Sequence, residues 1–270
     1  MRLLLIGCTG FVGSALVPQL LKSGHHLTLI SRKNIKSLPQ IFRSDQIVNL
    51  TLNPAEQQSW ENEELITSLS EADGVINLAG EPIAEKRWTP NHCQELYSSR
   101  INTTKGLINA MGQSRRPPKV LINASAIGFY GTSLDANFNE ESQCGKDFLA
   151  KLCKEWEFAA NQKPRSTRLM IFRIGIVLGA NGGALGKMLP IFKAGLGGPI
   201  GNGKQWMSWI HLTDLCQMIE QALTNKSWSG VINAVAPEQT SMSNFAFNLG
   251  KCIERPSLLS CFFIVEIFLF

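Results

Sequence analysis

Only two tyrosines, Tyr97 and Tyr130, occur among the 270 residues, so any chemistry that needs a phenol has two candidates. Metal chemistry has fewer. The seven cysteines form no Cys-x-x-Cys pair, and His25, His26, His92 and His211 make no His-Glu-x-x-His motif or Cys/His cluster. Neither a structural zinc nor a metalloprotease site is expected. An odd cysteine count without such pairing predicts reduced thiols and a cytoplasmic setting. No stretch reaches the roughly 18 apolar residues of a membrane span; the nearest is LLSCFFIVEIFLF at 258–270, which carries Glu266. The first strand-like run starts at Arg2, which predicts no signal or transit peptide ahead of it. Charge of one sign is also scarce. The net charge is +5, and basic residues are scattered apart from short pairs such as Arg115 and Arg116, so no stripe argues for nucleic acid. An anionic cofactor would suffice to use that excess.

What is present fits a large folded core, with 44% hydrophobic and 17% charged residues. RLLLI (2–6) is a continuous apolar run ending in glycine, as expected of a parallel strand buried on both faces. A helical pattern follows from Phe11 to Ser23, closed by Gly24, with Pro18 predicted to kink it. HLTLIS (26–31), the buried run near 74–78, PPKVLINAS (strand at 119–125) and RLMIFRIGIVLG (168–179) read as further strands. The segments 91–111 and DFLAKLCKEWE (147–157) read as helices. On the latter, Phe148, Leu152 and Trp156 mark the apolar face, with Lys151, Lys154, Glu155 and Glu157 on the wetter side. Strands alternating with helices predict an α/β, doubly wound parallel sheet of Rossmann type.

After Gly179 the composition changes, with five glycines between 195 and 203. No strand is predicted to lead into that stretch and no helix to begin at its glycines, so it reads as a mobile loop. The expected organisation is a dinucleotide-binding domain over 1–179, a small substrate-covering region over 180–257 interleaved with the last Rossmann elements, and an atypical apolar tail over 258–270.

GCTGFVG (7–13) places glycines at 7, 10 and 13 between a strand and a helix. Gly7 permits the tight turn, Gly10 lets backbone approach a pyrophosphate, and Gly13 lets helix and strand pack closely. The end of the second strand selects the dinucleotide. An NAD site usually has an acid there, whereas this sequence has Ser31, Arg32 and Lys33. A hydroxyl and two cations suit a 2′-phosphate, which a carboxylate would repel, so NADP is expected over NAD.

GCTGFVG, LISRKN, INLAGEPI, SSRINTTK, ASAIGFYG, DFLAKLCKEWE, FRIGIVLG and GLGGPIGNGKQWMSWIHLTDL together resemble the short-chain dehydrogenase/reductase superfamily. More narrowly, they resemble its atypical "epimerase family" group, related to the nucleotide-sugar epimerases. The resemblance runs from residue 1 to about 257. It implies that Gly7, Thr9, Gly10, Phe11, Val12 and Gly13 hold the pyrophosphate, and that Ser31 and Arg32 hold the 2′-phosphate. Leu78, Ala79 and Gly80 would line the adenosine side, Glu95 and Arg100 would contact the cofactor, and Val177 would lie near the nicotinamide. A buried Arg100 needs an anion. Active superfamily members carry a Ser or Thr at the end of the strand that here reads LINAS, then a Tyr and a Lys four residues later on the next helix. Ser125 fits the first position. Phe148 and Leu152 stand where the Tyr and Lys belong, on what reads as an active-site wall, which leaves Tyr130 as the substitute acid/base candidate. His211 and Asp214 match the superfamily's Ile-His-x-x-Asp segment and are expected to support loop geometry. Arg173 would orient a substrate anion or pair with Glu95 or Asp214. These readings predict an NADP-dependent oxidoreductase or epimerase acting on a small molecule, with a homodimer as an open assembly. The alternative is a noncatalytic NADP(H)-binding regulator or scaffold.

Overall fold

A computed structural model describes residues 1–133 and 135–259; most of the apolar tail expected at 258–270 lies outside them. The strands are β1 (Arg2–Ile6), β2 (His26–Ser31), β3 (Ile47–Thr51), β4 (Gly74–Asn77), β5 (Val120–Ala126), β6 (Arg168–Ile174), β7 (Ile176–Gly179), β8 (Trp206–Met207), β9 (Trp209–His211), β10 (Gly230–Ala234) and β11 (Thr240–Ser241). The helices are α1 (Phe11–Lys22), α2 (Glu63–Glu71), α3 (Pro90–Tyr97), α4 (Thr103–Gln113), α5 (Phe148–Asn161), α6 (Gly183–Lys193), α7 (Leu212–Thr224) and α8 (Met242–Cys252). Seven strands form one parallel sheet in the order β10-β6-β5-β4-β1-β2-β3. Its order reverses at β1, the position beyond whose strand ends open α/β sheets bind their ligands.

The two faces of this sheet are packed by separate clusters. Leu3, Leu5, Ile122 and Phe172 meet α1 and α7 on one side. Leu4, Ile6, Leu121 and Ile171 meet α2 and α4 on the other. That arrangement explains the unbroken apolar runs in the central strands.

Two expectations need correction. RLMIFRIGIVLG is two strands, not one: Gly175 ends β6, and β7 turns away to pair in parallel with β9. A strand therefore does lead into the glycine-rich segment, and α6 begins at Gly183. The glycines there answer to packing. Added Cβ atoms on Gly179, Gly182 and Gly183 would each lie 2.7–2.9 Å from the Phe11 ring. Helix α1 spans Phe11–Lys22 with Pro18 inside it, on its exposed side.

Candidate functional site

The turn after β1 is built by close approach. Gly7 has φ +72°, and a Cβ there would run into the backbone of Leu78 and Ala79; one on Gly13 would run into the Cys8 carbonyl. Above Gly10 the nearest atom to an added Cβ is 3.9 Å away, so the middle of the turn is open. Helix α1 starts there with no side-chain cap and no acid in its first turn. Unpaired N–H groups facing an open glycine surface fit an anionic pyrophosphate. The Leu78-Ala79-Gly80 turn that packs on Gly7 is held from below. Asn77 donates to Thr104 Oγ1 (3.0 Å) and Asn123 Oδ1 (2.7 Å), and its own Oδ1 accepts from the Ala79 N–H. Thr9 and Val12 are half-buried beside this turn, as is Val177 on β7.

At the end of β2, Ser31 is buried and its hydroxyl accepts from the Lys33 N–H at 3.0 Å. Arg32 is exposed, with its Nη2 at 3.7 Å from Glu81. Glu95 lies on the surface of α3, paired with Lys86 and His92. Hydrogen bonds from Lys86, then His92, hold its carboxyl below the usual range. Arg100 sits in a widened helical turn, Ser98–Asn102, between α3 and α4, a distortion often found at functional sites. Its guanidinium lies against Gly80, donates to the Leu96 carbonyl at 3.2 Å and faces the Trp156 ring at 5.3 Å. Burial lowers its pKa. The Glu81 carboxylate acts the other way, so this buried cation has an anion near it besides the ring face and the carbonyl.

The catalytic candidates meet in a cluster that sequence reasoning did not assemble. The parallel registers place Ser125 on β5, Arg173 on β6 and Asn233 on β10 side by side. Ser125 Oγ donates to Glu157 Oε1 at 2.6 Å. Arg173 donates through Nε and Nη2 to the two oxygens of the same carboxylate, both at 2.9 Å. Its Nη1 donates to the Tyr130 hydroxyl at 2.9 Å, and that hydroxyl donates onward to Asn233 Oδ1 at 2.6 Å. The Arg173 guanidinium also stacks 3.5 Å from the Phe129 ring centre. Burial works against its charge, but the bonds to Glu157 and Tyr130 outweigh that and raise its pKa.

Glu157 thus overturns its placement on the wet face of α5. It is 6% exposed, while Lys151, Lys154 and Glu155 do face water. Its helical position, four residues after Cys153 and three before Ala160, puts it on the buried face. Arg173 pairs with Glu157 and not with Glu95 or Asp214, because α5 lies over β5 and β6. A clue was available in RLMIFRI: an arginine inside a buried strand requires a partner. Helix α5 borders the catalytic candidates through Glu157, while its Tyr- and Lys-equivalent positions face elsewhere or are packed. Leu152 is packed among Leu96, Ile101, Ala124 and Trp156, and Phe148 is partly exposed with its ring 5.7 Å from Trp88. His211 is exposed, and its ring caps α7 by accepting from the Thr213 N–H.

Among the described residues, no helix is long and apolar enough to cross a membrane, and no three of His, Cys, Asp and Glu gather as a metal site. The profile of the NAD dependent epimerase/dehydratase family matches residues 3–234. The chain is 40% identical over 255 residues to the chloroplastic epimerase family protein SDR39U1 homolog of Arabidopsis thaliana, covering 94% of this chain and 71% of that protein. It is 39% identical to epimerase family protein SDR39U1 of Bos taurus, covering 96% and 83%. A crystal structure of human epimerase family protein SDR39U1 (isoform 2) with NADPH superposes with a TM-score of 0.85 at 36% identity, covering 99% of this chain and 86% of that one. A sheet order reversing above an open glycine turn, and matches that run through both, place this chain in the NAD dependent epimerase/dehydratase family.

Proposed function

We propose that this protein is an NADP-dependent oxidoreductase or nucleotide-sugar-epimerase-like enzyme acting on a small carbonyl or hydroxyl compound. The observation that carries the cofactor choice is the end of β2, where buried Ser31 and exposed Arg32 stand in place of an acid. The NADPH of the human relative supports it. Gly7, Thr9, Gly10, Phe11, Val12 and Gly13 hold the pyrophosphate on the N-terminus of α1, and Arg32 holds the 2′-phosphate by a charge-assisted bond. Leu78, Ala79 and Gly80 line the adenosine side, and Glu95, Arg100 and Val177 border the rest of the cofactor. NADP(H), when bound, supplies the hydride donor or acceptor. Ser125 and Tyr130 are the polar pair for the accompanying proton, positioned by Arg173 and Glu157. A cytoplasmic homodimer is the proposed working form.

One observation favours a second reading, a noncatalytic NADP(H)-binding regulator or scaffold. The Tyr and Lys positions hold Phe148 and Leu152, and the Tyr130 hydroxyl is engaged by both Arg173 and Asn233. Stereospecific hydride exchange between NADPH and any substrate rules that reading out as the sole role. The cofactor assignment is tested by calorimetric titration of Arg32→Ala. NADP affinity should fall roughly 10- to 100-fold, as for loss of a hydrogen bond to a charged group, with NAD affinity nearly unchanged. Equal losses for both defeat the assignment.

A further inference from the structure

The carboxylate beside Arg32 comes from the turn that packs on the glycine loop. Glu81 follows Gly80 directly, and its backbone N–H donates to Ser99 Oγ at 2.9 Å. Its side chain is largely buried, whereas that of Arg32 is 70% exposed. The fixed member of the pair is therefore the acid and the adjustable member is the arginine. Their separation of 3.7 Å is a loose contact, well short of a bidentate fork. On its other side Glu81 meets Lys86 Nζ at 3.2 Å, and Lys86 reaches on to Glu95 Oε2 at 2.7 Å. One carboxylate thus has two cations in ion-pair range, Arg32 and Lys86, and the buried Arg100 charge also acts on it; of these only Arg32 lies at the end of β2.

We infer that Glu81 sets cofactor selectivity by competing with the 2′-phosphate for the Arg32 guanidinium, and that Lys86 neutralises Glu81 when Arg32 is drawn away. The inference rests on the assignment of Arg32 to the 2′-phosphate. A phosphate offers Arg32 a bidentate partner that Glu81, at its present distance, does not. Moving Arg32 from Glu81 to phosphate would leave a poorly solvated carboxylate alone, but Lys86 is already within ion-pair range to compensate. Hydrogen bonds that Lys86 donates to Glu95, then to Glu81, raise its pKa and keep it charged for that task. The arrangement lowers NADP affinity below what Ser31 and Arg32 alone would give. NAD, with no 2′-phosphate, does not enter the competition.

The test is calorimetric titration of the full chain with NADP and NAD. Glu81→Gln should tighten NADP about two- to fivefold, the range of an exposed ion pair, and leave NAD unchanged. Glu85→Gln, on the same loop, should leave the NADP/NAD ratio at the wild-type value. Lys86→Gln should weaken NADP about twofold, an effect that disappears when Glu81→Gln is added. All of these differences should shrink with added salt. An unchanged or lowered NADP/NAD ratio in Glu81→Gln overturns the inference, as does a Lys86→Gln protein that binds NADP as tightly as the wild type. Arg32→Ala, run in parallel, separates the two levels. If it weakens NADP and NAD alike, the underlying assignment falls. If it is NADP-selective while Glu81→Gln keeps the wild-type ratio, only the role of Glu81 falls.

Discussion

Replacing Glu157 by alanine isolates the energetics of the buried cluster. The substitution removes the acceptor of three hydrogen bonds, from Ser125 Oγ and from Arg173 Nε and Nη2. It also leaves a guanidinium that is 4% exposed without its counter-charge. Breaking one side of a buried ion pair destabilises by about 3–5 kcal/mol. For a chain of this size that corresponds to a fall in Tm of roughly 6–20 °C. Urea denaturation followed by circular dichroism measures it, with Arg173→Met and Glu157→Ala/Arg173→Met completing a double-mutant cycle. The double variant should lose about 1–3 kcal/mol less than the sum of its single changes, because neither charge is then stranded. If Glu157→Ala loses less than about 1 kcal/mol, or the cycle is additive, the pair is not the support described here.

Tyr130→Phe removes a hydroxyl that accepts from Arg173 and donates to Asn233. Turnover should fall about 100-fold or more, while NADPH affinity by calorimetry is retained; unchanged turnover removes Tyr130 from the mechanism. His25 has its pKa lowered below 6.5 by burial, then by the neighbouring N-terminal ammonium. Below pH 6.5 the unfolded chain takes up a proton that the folded one resists. Stability should therefore be full above that pH and decline as pH falls through the folded-state value. Urea midpoints between pH 5 and 7 should lose this component in His25→Leu, and an identical pH profile in that variant refutes it.

The glycine turn and most central strands were legible because each depends on local physics. Apolar runs of strand length flank a turn in which side chains would collide with Leu78, Ala79 and Cys8. Strand β3 was passed over because its burial is interrupted, with Val48 exposed and Asn49 half-buried. Helix α6 was hidden by its glycines, which signal mobility when read alone but here clear space for the Phe11 ring, 168 positions before Gly179. The same kind of distant contact placed Glu157. Amphipathic reading gave its helix correctly, but a charge on the boundary of a helical stripe takes its side from what packs there, and that was Arg173. Ser125 and Tyr130 were identified singly; their joining through Arg173 depends on strand register, which periodicity does not encode.

The polar cluster also joins segments far apart in the chain. Its members occupy positions 125, 130, 157, 173 and 233, so the ion pair lies within β5–β6 and α5, whereas the acceptor of the Tyr130 hydroxyl lies on β10. Without β10 the sheet would end at β6 and the Tyr130 hydroxyl would lack its Asn233 acceptor. In the folded chain, the strand that covers the β6 edge is therefore also the one that supplies the acceptor for the Tyr130 hydroxyl, so edge protection and site completion depend on the same segment.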